Sequence, residues 1–271
     1  MKKIISPTSN ISLISYIKLI WKYRFFSRSL AIGKIKNKYA KMISGLLFMV
    51  IQMLIGLCVY WLVFGIAIGI NTNNIPYPIF ALPGILAWHL FSNIIGTSSG
   101  ALTNYQHIIN KFYLPKINLL FAEIIPGIIE FIIGFVVFVI LFIVFGQSFN
   151  ILWLLVPLIF IIIVFFSLSI GIWAAILSLY FPDISQIIMQ VTNFLIFATP
   201  VFYPGSIIPQ NFKFILYINP IASVIEYFRA FTLDSQLPSN WYLISAAMII
   251  IIFISGFYIF KKIEKKIADL L

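Results

Sequence analysis

Between Lys41 and Lys111 the chain carries no Asp, Glu, Lys or Arg. A crossing of about 30 Å of hydrocarbon takes about 20 apolar residues at 1.5 Å each. The uncharged stretch therefore holds two spans, roughly Ser44–Ile70 and Ile79–Leu102. The breaker-rich segment from Asn71 to Pro78 separates them as a short turn. The whole chain shares this bias, with 62% hydrophobic and only 9% charged residues. A soluble domain carries roughly a quarter of its residues as charges to keep its surface solvated. Lipid must be the solvent here.

Four more spans complete the pattern, at roughly Leu119–Phe145, Ile151–Leu179, Ile187–Phe202 and Trp241–Phe260. The fold class expected is an all-α polytopic membrane protein with six transmembrane helices. Residues 1–43 form a basic cytoplasmic segment, 44–260 the membrane domain, and 261–271 a basic tail. Within the first segment, Leu13, Ile14, Ile17, Ile20, Trp21 and Phe25 recur at helical spacing, opposite Ser15, Lys18 and Lys22. That predicts an amphipathic helix over Ile11–Arg28, lying in the membrane interface or packed on a partner. From Tyr203 to Asn240 the chain is apolar, but Pro204, Pro209, Pro220 and Pro238 interrupt it. Two full crossings do not fit, so a re-entrant or interfacial helical pair is expected there. In its second half, Ile221, Val224, Ile225 and Phe228 oppose Glu226 and Arg229, which can pair at i, i+3.

The net charge of +11 would suit a nucleic-acid binder, but its placement does not. Ten of the 18 Lys and Arg lie from Lys2 to Lys41, and four more from Lys261 to Lys266. Such clusters mark cytoplasmic flanks. Both ends being basic requires an even number of crossings, and only Lys213 and Arg229 then fall outside. About forty basic, mixed residues precede the first long apolar run, which is not the pattern of a cleavable signal. Cys58 is the sole cysteine, so no disulfide forms within the chain and no cysteine cluster binds metal. His89 and His107 are too isolated to make a metal site.

No phosphate-binding loop of the form G-x-x-x-x-G-K-[ST] is present, and no nucleophile–base constellation stands out. The chain is thus expected to be neither an ATPase nor another enzyme. Glu123 and Glu130 both fall in the third span. Glu130 lies about 10 Å deeper, and at about 3 kcal/mol for a central charge it should face the bundle interior or a wet cavity. Proton coupling and a packed structural carboxyl are its two readings.

An ordered series of short blocks carries a family resemblance. Lys38 and Tyr39 are followed by Gly45 to Phe48 with Gln52, then Tyr77 to Gly84 (YPIFALPG) with Trp88 and Phe91. Asn110 to Pro115 (NKFYLP) comes next, then Thr199 to Pro204 (TPVFYP), Pro209, Asn219, Pro220 and Arg229. The chain resembles the permease subunits of ATP-binding-cassette exporters of cell-surface polysaccharides such as O-antigen, capsule and teichoic acid. It departs from their pattern at Phe48, Met53, Leu114 and Pro182, where Trp, Pro, Phe and Arg are usual.

The resemblance implies a homodimer in the bacterial inner (cytoplasmic) membrane, both termini cytoplasmic. Two separate ATPase subunits would bind ATP and Mg, leaving this chain without a cofactor. It also implies an ATPase-coupling loop around Asn104, Ile108, Asn110, Lys111, Phe112 and Pro115, and a lipid-linked glycan as substrate. Because sugar C–H faces stack on aromatic rings, Trp61, Trp88 and Phe91 are candidates for the polymer path. Arg28 and Lys38 are candidates for the lipid pyrophosphate, with ordinary positive-inside anchoring as the alternative. Pro204, Pro209, Asn219, Pro220, Glu226 and Arg229 would shape the extracytoplasmic re-entrant region. A drug or small-molecule exporter of the same architecture, and a nucleotide-independent transporter or channel, are the competing functions.

Overall fold

The computed structural model describes residues 12–39, 45–112, 114–233, 237–264 and 266–270. The described residues begin with two helices, α1 (Leu13–Lys22) and α2 (Arg24–Tyr39). The single amphipathic helix expected over Ile11–Arg28 is therefore broken at Tyr23, which leaves helical geometry at φ −91°, ψ 10°. An Arg24 guanidinium N–H caps the carbonyl of Trp21 there. The apolar stripe of α1 turns outward: Leu13, Ile14, Ile17 and Trp21 are exposed while Tyr16 is buried.

Five described helices are long and apolar enough to cross a membrane. The first is α3 (Gly45–Tyr60), which continues as a π-helix over Trp61–Ala67. The others are α4 (Tyr77–Ser99), α7 (Ile117–Val144), α8 (Val156–Tyr180, preceded by a 3-10 turn from Ile151) and α12 (Leu243–Ile263). Between α4 and α7 lie two one-turn helices, α5 (Ala101–Asn104) and α6 (Gln106–Ile109). Asn73 and Asn74 adopt positive φ in the turn before α4, as small polar residues can.

The fifth expected span departs from its sequence reading. Helix α9 covers Ile184–Ala198, and its 15 residues reach only roughly 22 Å. Pro200 ends it, because the residue before a proline is driven to extended backbone; Thr199 sits at φ −101°, ψ 144°. A helical pair then follows as expected, α10 (Lys213–Ile218) and α11 (Pro220–Thr232), and a last turn, α13 (Ile267–Leu270), follows α12.

Helix α4 is the pillar of the bundle, with α7, α8, α9 and α11 packed around it. Small residues let the backbones approach. At Gly171 on α8 an added Cβ would stand 2.7 Å from the Cβ of Ser98. Phe91 stacks on Phe166 with centroids 5.3 Å apart, joining α4 to α8.

Candidate functional site

Three of the sequence blocks meet on one side chain. Arg229, from α11, is 3% exposed. Its Nε donates to the carbonyl of Phe80 at 3.1 Å, Nη2 to that of Val201 at 2.6 Å, and Nη1 to that of Pro200 at 2.6 Å. Glu226 accepts from Nη1 at 3.2 Å, and the ring of Phe80 lies 4.0 Å from the guanidinium carbon. The expected i, i+3 pair thus forms, but Arg229 is not on a solvated face. The planar five-donor fork of arginine satisfies carbonyls left open where Pro200 and its neighbours break the helix. Gly84 makes room, since a Cβ there would stand 2.8 Å from the Val201 oxygen. Tyr77 donates to the Phe202 carbonyl, and Phe64 stacks on Phe202 with centroids 5.0 Å apart.

At the other end of α4, the loop from Gly100 to Lys116 presents two faces. Tyr105, Ile109, Leu114 and Pro115 are buried, and Ile108 is half-buried. Asn104, His107, Asn110, Lys111 and Phe112 are exposed, Phe112 by 58%. The loop is held from behind. Glu264 accepts the backbone N–H of Lys116 at 2.5 Å, at the start of α7, where the helix dipole favours an acid. Burial pushes the Glu264 carboxyl above the usual carboxylate range, with the bond from the Lys116 N–H opposing the shift. Lys34 forms an ion pair with the buried Glu123, and its ammonium lies 5.1 Å from the Tyr105 ring centroid. Burial, then the nearby Glu123 charge, pushes the Tyr105 phenol up. Asn118 and Ser27 exchange hydrogen bonds and tie α7 to α2.

Between these ends α4 has one opening. From Tyr77 to Leu102 the only exposed residue is His89. It lines two cavities, one of about 470 Å³ beneath α3 and one of about 460 Å³ toward α9 and α2. The first is walled by apolar side chains such as Met53, Leu57 and Phe131, with Tyr60, Gln52 and Glu130 among them. The second is lined by Lys34, Asn93, Thr97, Thr192 and Asn193. Asn93 Nδ2 donates to Glu130 at 2.9 Å, so the two cavities share a polar floor. Glu130 is half-buried on this floor, as a membrane carboxyl should be. Among the described residues, no cluster of His, Cys, Asp or Glu is placed to hold a metal.

The sequence pattern of the ABC-2 type transporter family matches residues 35–233. The chain belongs to this family. Among its curated relatives, an O-antigen export system permease protein, RfbA, of Klebsiella pneumoniae is 25% identical over 238 residues, covering 88% of this chain and 91% of the relative. The RfbA of Myxococcus xanthus is 24% identical over 95% of this chain and 99% of its own length. The polysialic acid transport protein KpsM of Escherichia coli is 22% identical over 74% and 78%. Members of this family are membrane-embedded transport subunits, and this chain is one of them, a multi-pass membrane protein.

In this ABC-2 family member the path candidates separate. Trp88 and Phe91 are each 4% exposed, packed inside the helix bundle against each other. Trp61, at the start of the π-helix, is 42% exposed. Arg28 is exposed on α2. The side chain of Lys38, at the end of the same helix, lies outside the described residues. Pro204 and Pro209 each precede a one-turn helix, and Asn219 and Pro220 begin α11; Asn219 also donates to Thr199. Sequence reading passed over Lys34, Asn93 and the place of His89. A signal existed for the last two, since polar side chains inside an apolar span face protein or water by default. Lys34 and Glu123 are 89 positions apart, and nothing local links them.

Proposed function

We propose that this protein is the transmembrane half of an ATP-driven exporter of a lipid-linked cell-surface polysaccharide of the O-antigen, capsule or teichoic-acid type. The observation that carries the proposal is the near full-length match to relatives named as O-antigen export permeases. Two copies would form the membrane unit, and a pair of separate ATPase subunits would bind ATP and Mg. The chain would cross the bacterial cytoplasmic membrane six times with both termini inside, α9 and the segment after it making the fifth passage. The helices α10 and α11 would form the re-entrant pair on the outer side, held by Arg229.

Several features support this reading. The loop bearing Asn104, Ile108, Asn110, Lys111, Phe112 and Pro115 exposes a contact face while its back is clamped by Glu264 and by the Lys34–Glu123 pair. A loop fixed in this way transmits a push as a rigid body. Helices α3 and α9 flank the only opening in α4, and neither is well packed within its own protomer. That is the arrangement expected if the substrate passes along this side, against a second copy.

Replacing Ile108 to Phe112 with a flexible Gly-Ser segment is expected to abolish surface polymer while leaving membrane insertion and protein level intact. Unchanged polymer on the cell surface would refute the coupling role. Deleting the gene should remove the surface polymer, whereas a drug exporter would leave it and alter drug tolerance. Transport by the purified chain with no ATPase present would establish the nucleotide-independent reading instead.

A further inference from the structure

The inner face of α3 covers space as well as side chains. Met49, Gln52, Met53, Gly56, Leu57 and Tyr60 recur along it at helical spacing. All six line the cavity of about 470 Å³ that α3 encloses with α4 and α7. On the opposite face Leu47, Ile51, Leu54 and Ile55 are exposed. Protein interiors hold few voids larger than a water molecule, so a gap of this size needs a filling. Water suits it poorly, because each molecule wants two to four polar partners. Apart from Gln52, Tyr60, His89 and Glu130, the walls are apolar side chains and glycines. Two of those polar residues lie at the border with the second cavity: His89 lines both, and Glu130 is bonded by Asn93, which lines the second. That second cavity, with Ser92, Thr97, Thr192 and Asn193 in its walls, is the one that suits water. The first suits hydrocarbon. Met49 and Met53 are flexible and polarizable, able to shape themselves to a mobile chain. Gly56 keeps the gap clear, since a Cβ there would meet nothing nearer than a Tyr60 ring carbon at 4.0 Å.

We propose that this cavity binds one acyl chain of a bilayer phospholipid, which packs between α3 and the α4–α7 pair and completes the bundle there. The inference rests on the membrane embedding of the chain and is independent of what the protein exports. Its volume lies in the range of small-ligand pockets, which are mostly apolar with a few polar groups. The stripe from Met49 to Tyr60 runs about 16 Å along α3, close to the roughly 15 Å depth of one leaflet's hydrocarbon. An acyl chain matches that length. A polyprenyl tail, several times longer and methyl-branched, would leave most of itself outside. The contacts the chain makes with Leu86, Leu90 and Phe131 replace those that α3 does not supply, so the cavity wall loses no dispersion attraction.

The test places the full chain in nanodiscs of a phospholipid that carries a photoreactive diazirine at the end of one acyl chain, and maps the adducts by mass spectrometry after illumination. Leu86, Leu90 and Phe131 line the cavity and are otherwise buried, whereas Ile132 and Val136 are exposed on α7. Adducts are expected in both groups. Labelling of Ile132 and Val136 with none at Leu86, Leu90 or Phe131 would overturn the proposal, and the parent protein alone decides this. Gly56→Phe, which places a ring in the gap, should lower the adducts on the three buried residues by about tenfold or more. Those on Ile132 and Val136 should stay within about twofold of the parent, which also shows that the variant is folded and embedded. Unchanged labelling of the buried residues in Gly56→Phe would mean that the label reaches them by another route, against the proposal. An excess of unlabelled polyprenyl phosphate should leave the buried adducts in place; their loss would give the cavity to the polyprenyl chain and overturn its assignment to a phospholipid.

Discussion

Helices α3 and α4 are neighbours in sequence and both cross the membrane, yet the fold treats them in opposite ways. The span Leu47–Ala67 is almost wholly exposed on the protomer, whereas Tyr77–Ser99 is mostly buried. Hydropathy does not explain this, since the less polar of the two is the one left outside. In lipid an apolar surface gains nothing from being hidden, so burial follows small residues and hydrogen bonds instead. Helix α4 has both: Gly84 admits the Val201 carbonyl and Arg229, while Ser98 fits against Gly171. Helix α3 touches the bundle along α7 and α4 and at its π-helical end, where Tyr60 and Phe64 cover Phe202. One helix is scaffold. The other is a wall around a cavity, free to meet something outside the protomer.

The largest effect that would separate the two belongs to Arg229→Ala. It removes the side chain that bonds the carbonyls of Phe80, Pro200 and Val201, each worth about 1–3 kcal/mol when left unsatisfied. We expect a loss of at least about 4 kcal/mol, seen as failure to recover folded protein in detergent. Arg229→Lys should restore little, since an ammonium cannot serve three diverging acceptors. Normal thermal stability in either variant would contradict the structural role.

A matched pair comes next. Ile94 on α4 is fully buried and Ile55 on α3 is 60% exposed. Ile94→Ala should cost about 2–4 kcal/mol, and Ile55→Ala within about 0.5 kcal/mol in the protomer dissociated from any second copy. Similar losses at the two positions, measured by thermal unfolding of the purified protein, would erase the distinction between scaffold and wall.

Smaller still is the ion pair behind the loop. Lys34→Met leaves the Glu123 carboxylate buried and unpaired, at a cost of about 2 kcal/mol after allowing for the partial exposure of Lys34. Combining it with Glu123→Gln should recover most of that loss, which a double-mutant cycle will report. Additive losses would mean that the two groups do not interact.

The pH dependence of Glu264 gives the finest effect. Burial raises its carboxyl pKa above the ordinary value of 4.5, so the folded state binds this proton more tightly than the unfolded one. Its contribution to stability is full below about pH 4.5 and is lost as pH rises through the folded-state value. Glu264→Gln should therefore flatten the decline in stability above pH 4.5. An unchanged slope would show that Glu264 is not the titrating group.

Much of this division was legible in the residues, but unevenly. The long helices announced themselves through apolar runs with few or no charges, closed by prolines, asparagines and lysines. The short α9 was overextended, because hydropathy continues through Val201 and Phe202 while Pro200 has already ended the helix. Periodicity also placed Arg229 on a polar face, opposite Phe228. It cannot register that the broken backbone at 199–204 would fold back to enclose the guanidinium. The aromatic path candidates show the same limit. Trp88, His89 and Phe91 lie within one turn of each other, and only packing by α8 decides that the histidine opens to the cavity while the two rings are sealed in.

If two copies pair as proposed, the uncovered face of α3 is the surface that meets the second copy. The native Cys58 lies exposed on that face and is the only cysteine, so a short bifunctional thiol reagent applied to intact membranes addresses it directly. The account predicts a cross-linked dimer that Cys58→Ser abolishes. It predicts no dimer from Ile132→Cys in the Cys58→Ser background, since Ile132 is an exposed residue of α7 rather than of α3. A Cys58 that stays monomeric while Ile132→Cys cross-links copy to copy would contradict it.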